Sequence, residues 1–93
     1  MYSLTVKLTL FLPLSQSLKD KRRVRRAVID RYQKKVLIKE VATQESWQSL
    51  TLGFALVSLR ESDLYQQLDD LLYDITESGE VELQSRDFEL VKL

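Results

Sequence analysis

The sequence predicts an α+β fold in which two helices lie on one face of a four-stranded antiparallel sheet. Three observations carry that prediction. The first segment alternates apolar and polar residues with period two. Two later segments each hold one apolar stripe at helical spacing. The patterned segments follow one another as strand, helix, strand, strand, helix, strand.

The first strand runs from Tyr2 to Leu12. Tyr2, Leu4, Val6, Leu8, Leu10 and Leu12 point one way, Ser3, Thr5, Lys7 and Thr9 the other, and only Phe11 breaks the polar set. Such alternation describes a strand with one buried face, and Pro13 closes it. Ser17 then has the character of a helix N-cap, with Asp20 three residues on as its capping-box partner. The helix is expected from Leu18 to Lys35, with Val24, Ala27, Val28 and Tyr32 on the core stripe. A second strand is expected over Val36 to Thr43 and a third over Trp47 to Leu59, paired as a hairpin. Leu50, Leu52, Phe54 and Leu56 share one face of the third strand, and Ser49, Thr51, Gly53, Ala55 and Val57 the other. Ser62 is expected to cap the second helix, whose Leu64, Leu68, Leu71, Leu72 and Ile75 fall in a stripe about 100° wide. Gly79 ends that helix in the left-handed conformation. In the last strand, Glu80 to Leu93, Val81 and Leu83 share one parity while Phe88 and Leu90 take the other. A bulge or break is therefore expected near Ser85.

This order is the ferredoxin-like βαββαβ arrangement, and right-handed crossovers place the first and third strands in its centre. The 93 residues make a single domain, 1–93, near the size at which one hydrophobic core suffices. Within it, Trp47 is expected to cover a core edge, an exposed position being the mark of a contact surface. Gly53 in mid-strand implies a bulge or a close helix approach, or alternatively a second subunit packed against Gly53 and Ala55.

Composition removes several chemistries. Without cysteine there is no disulfide framework or thiolate metal site, and a cytoplasmic home is the expectation. Without histidine the commonest general base and metal ligand are missing. Asp69, Asp70 and Asp74 are expected on the solvated side of the second helix, and no glycine-rich loop accompanies them. No catalytic residue, cofactor, metal site or small-molecule substrate is expected. The opening residues lack a signal-peptide pattern, and the apolar stretch from Leu8 to Leu14 is too short to span a bilayer.

Charge is the most informative feature. The net charge is zero, but residues 1–39 hold eleven basic and two acidic side chains, for +9, and residues 40–93 hold three and twelve, for −9. Six of the eight residues from Lys19 to Arg26 are Lys or Arg. A solvated helix face is the ordinary meaning of such a run. Against it, Lys19, Lys21 and Arg22 crowd the helix N-terminal turn, where the macrodipole favours acids and each misplaced charge costs about 0.3–1 kcal/mol. A rule broken repeatedly without visible compensation points to function, and a positive helix end bearing Lys and Arg suits a phosphate. The candidate nucleic-acid-binding residues are Lys19, Lys21, Arg22, Arg23 and Arg26. The sheet face away from the helices offers no aromatic platform, so RNA would be held through its backbone and shape.

Three segments carry a family resemblance: Ser17-Leu18-Lys19-Asp20-Lys21-Arg22-Arg23 after the alternating strand, Glu40-Val41 followed by Trp47-Gln48, and Leu52-Gly53-Phe54-Ala55-Leu56-Val57-Ser58. In this order and spacing the chain resembles the YlxP-like family of small bacterial proteins of largely uncharacterised function. Glu45 stands where the family pattern leads one to expect aspartate. The resemblance implies a ferredoxin-like fold. It also implies a link to RNA or the ribosome, because the family's genes often sit beside transcription and translation factors. It brings no catalytic residues.

The expected function is a non-enzymatic binding module whose basic first helix contacts RNA or the ribosomal phosphate backbone. The alternative is an assembly module that meets an acidic protein partner, or pairs as a homodimer through the sheet face, with no nucleic-acid role.

Overall fold

A computed structural model describes all 93 residues. The elements are β1 (Tyr2–Phe11), α1 (Leu18–Tyr32), β2 (Lys39–Ala42), β3 (Ser49–Ser58), α2 (Glu61–Thr76) and β4 (Glu82–Lys92). The sheet is antiparallel throughout with strand order β2-β3-β1-β4. This is the ferredoxin-like α+β arrangement, with β1 and β3 central as right-handed crossovers require.

Strand parity decides what the core contains. Leu4, Val6, Leu8 and Leu10 of β1 and Leu50, Leu52, Phe54 and Leu56 of β3 are all buried beneath the helices. Leu64, Leu68, Leu71, Leu72 and Ile75 of α2 close over them, with Val24 and Tyr32 from α1. The opposite sheet face has no helix over it. The switch of parity in β4 is a bulge: Thr9 pairs with Ser85 but Leu10 with Leu83, which leaves Gln84 unpaired. Phe88 thereby turns to the helix side and meets Tyr65 of α2 edge to face, with centroids 5.8 Å apart.

Several boundaries differ from the sequence expectation. α1 stops at Tyr32, not Lys35. The Tyr32 carbonyl accepts both the Lys35 and Val36 N–H groups at 2.8 Å, closing the helix in a turn. Val36 to Ile38 connect α1 to β2 without pairing, so β2 has four residues, and only Ile38 of that run is fully buried. α2 begins two residues early. Ser62 lies inside it and the N-cap is Arg60, with no side-chain cap, while Asp63 accepts a hydrogen bond from Ser58 Oγ. Ala27 is exposed, since it sits about 100° around the helix from the Val24–Val28–Tyr32 stripe. Trp47 is 44% exposed, more than a residue covering a core edge would be.

Gly53 is explained by a neighbouring strand. The pairing of β2 with β3 shifts between Glu40 and Ala42, and Val41 is the extra residue. Its side chain lies over Gly53 so closely that a Cβ there would sit 2.7 Å from Val41 Cγ1. Neither a helix nor a bulge in β3 itself is involved.

Candidate nucleic-acid interface

Ser17 starts α1 as the sequence implies. Its Oγ accepts the Asp20 N–H at 3.1 Å. The Asp20 carboxylate reaches back one residue further than a capping box requires and takes the Gln16 N–H at 3.0 Å. The cap fixes the rotation of the helix, and rotation decides which basic residues face water. Lys19, Arg22, Arg23 and Arg26 fall within an arc of roughly 100° opposite the core stripe, and all four are exposed. They line one shallow surface depression together with Asp20, Ala27 and Asp30.

Lys21 does not belong with them. It is the most buried charged residue of the chain, 1% exposed. Its position is three residues before Val24 and seven before Val28, which puts it on the core stripe and not on the wet face. There Nζ lies 2.7 Å from Glu40 Oε2 and donates to the Thr43 carbonyl. Arg25 NH1 donates to Glu40 Oε1 at 2.9 Å. The Lys21 contact is out of hydrogen-bond alignment at Oε2, so that buried oxygen accepts no hydrogen bond and is held by charge alone. Thr43, with a φ of 64°, turns the chain so that its carbonyl faces the lysine and its Oγ1 accepts the Thr51 N–H at 2.9 Å. Lys21 is thus a strut from α1 to edge strand β2 and its turn, screened from any external phosphate.

The remaining cations of α1 divide by partner. Arg25 is committed to Glu40. Arg31 is 2.7 Å from Asp74, which also accepts the Tyr32 hydroxyl. The Tyr32 phenol is pushed up to about 12, by burial first and then by the hydrogen bond and charge of Asp74. Asp74 is therefore a tie between the helices and not part of a solvated acidic face. Arg23 is loosely placed, 3.6 Å from Glu80 with both side chains largely exposed. Lys19, Arg22 and Arg26 have no carboxylate within 4 Å. Four of the five ion pairs join the basic half of the sequence to acids of the second half. The misplaced charge of Lys21 is thereby compensated, while those of Lys19 and Arg22 are not.

Glu40 is the residue that sequence reasoning missed. It stood in a resemblance segment without a role. The signal that could have found it is a lysine on an apolar helix stripe, which demands a buried counter-charge.

The fold and this surface define a class: a ferredoxin-like domain presenting one exposed cationic helix face. The chain belongs to a family described as a protein of unknown function, DUF503, whose model matches residues 4–88. Among curated proteins none matches. A solved structure titled "Structural Genomics, protein YJCS" is similar over 97% of this chain and 99% of that one, with a TM-score of 0.65 and 10% identity. At that identity the likeness concerns the fold alone. No helix is long and apolar enough to cross a membrane.

Proposed function

We propose that this protein is a non-catalytic binding module that holds the phosphate backbone of structured RNA, such as ribosomal RNA, against the outer face of α1. One observation carries the reading. Lys19, Arg22 and Arg26 stand exposed and without acidic partners on one arc, beside the loosely paired Arg23, while the neighbouring Lys21, Arg25 and Arg31 are consumed by ion pairs. The gathering of unneutralised charge on the side of the helix away from the core is what a backbone contact requires. The helix-free sheet face carries Lys7, Thr5, Gly53, Ala55 and Val57 at its centre and Phe11 alone at one end of β1, which is too little for a platform that stacks successive bases. Recognition is accordingly of backbone and shape.

The test is fluorescence anisotropy with a labelled RNA hairpin over a salt series. Four phosphate contacts give a log–log salt slope of roughly −3 to −4, with micromolar or tighter affinity at low salt. Reversing Arg22, Arg23 and Arg26 together to glutamate abolishes binding. Reversing Lys34, Lys35 and Lys92 does not. Weak, salt-insensitive binding, or equal loss from both triple variants, overturns the proposal. Tighter binding to polyglutamate than to RNA assigns the face to an acidic protein partner instead.

A further inference from the structure

We infer that the helix-free face of the sheet is an interface with a second copy of this chain, stacked face to face about a two-fold axis parallel to the strands. The strand register carries this. Lys39 pairs with Gly53, Gly53 with Lys7, and Lys7 with Asp87, so these four residues form one row across β2, β3, β1 and β4. All four are on the helix-free side, because their neighbours Glu40, Leu52, Leu8 and Phe88 turn toward the helices. The row reads positive, neutral, positive, negative. Neither lysine nor Asp87 has an opposite charge within 4 Å, although Lys7 and Asp87 are direct neighbours in the register.

A two-fold axis along the strands, passing over this row between β3 and β1, superposes the row on its own reverse. Lys39 of each copy then meets Asp87 of the other, with Glu89 one row away. Lys7 lies over the Gly53 position, where Val41 offers methyl groups to its aliphatic stem. Strands about 4.8 Å apart and sheets about 10 Å apart put these groups within side-chain reach. The usual angle of about 30° between packed sheets shifts the outer pairs by only a few ångströms. The same face exposes Val41, Val57 and Val91 at 51%, 60% and 45%, so closure also removes apolar surface from water. A two-fold interface must be self-complementary, and here the two outer Lys39–Asp87 pairs supply the complementary charge while the central Lys7 stems meet the Gly53 and Val41 positions. It leaves both α1 faces pointing outward.

Sedimentation velocity of the intact chain without RNA, over a concentration series, is the experiment. A dimer is expected, weakened by salt. Lys39→Asp and Asp87→Lys each set like charges against one another and weaken it by at least about tenfold. The double swap restores affinity to within about threefold of the original, which no folding defect would do. Ala55→Arg, in mid-face, leaves a folded monomer by circular dichroism. A monomer at every concentration overturns the inference, as does a dimer unmoved by the single changes or not rescued by the swap. The glutamate reversals on α1 leave the dimer intact, so failure here and failure of RNA binding are separate results.

Discussion

A lysine that is 1% exposed next to a glutamate whose side chain is 6% exposed sets the energetics at the residue scale. Two such charges are costly to bury, and their attraction offsets the cost only while both are present. Glu40 serves two cations, Lys21 Nζ at 2.7 Å and Arg25 NH1 at 2.9 Å. Removing the carboxylate charge therefore leaves a buried ammonium alone. Glu40→Gln is expected to cost about 3–5 kcal/mol of unfolding free energy. Lys21→Met costs less than Glu40→Gln, because Arg25 still serves the carboxylate. The double variant costs less than the sum of the two, and Lys19→Ala stays within about 0.5 kcal/mol. Urea unfolding of the four variants measures this, and additive costs would show that the pair is not coupled. A basic run hides such a residue from sequence reading. Lys21 is chemically identical to Lys19 and differs only in its angle around the helix, and its partner lies nineteen residues away on another element.

At the scale of elements, the tie between α1 and α2 runs through Asp74, which takes the Tyr32 hydroxyl and the Arg31 guanidinium. The folded state favours the neutral phenol, raised to about 12. Its contribution to stability is complete below the unfolded value of about 10 and is lost as pH rises through 12. Stability is expected to fall more steeply over that window in the natural chain than in Tyr32→Phe. That variant is itself less stable at neutral pH by about 1–3 kcal/mol. Chemical unfolding at graded pH reads both, and parallel curves would remove Tyr32 from the account. The elements were legible wherever a pattern repeats. The five-residue stripe of α2 and the alternation of β1 are both realised, and the parity switch placed the bulge beside Ser85. They were not legible where a boundary depends on tertiary reach. Val36 to Ile38 has strand composition, yet the chain spends those residues crossing from the end of α1 to β2. Trp47 gave no sign of its exposure because a lone aromatic has no period.

For the whole molecule, the split of +9 against −9 serves two uses that differ in their response to salt. One use is internal: acids of the second half are drawn onto α1, and the most buried of those contacts, Lys21–Glu40, is sealed from solvent. The other is the surplus on Lys19, Arg22, Arg23 and Arg26, which faces water. Mobile ions shorten the screening length from about 10 Å at 0.1 M to about 3 Å at 1 M, but they act only where they can penetrate. The exposed pairs, Arg23–Glu80 and Arg86–Asp69, contribute little in any case. If α1 holds an RNA backbone as proposed, raising salt over that range lowers that affinity by about a thousandfold or more, following the counterion slope. It should move the unfolding free energy by less than about 1 kcal/mol. The two are measured on one sample, by anisotropy and by denaturant titration at each salt concentration. Stability that declined in step with affinity would mean that the loss of binding is loss of the fold, and that the charge of α1 is a structural complement to the acidic half and nothing more.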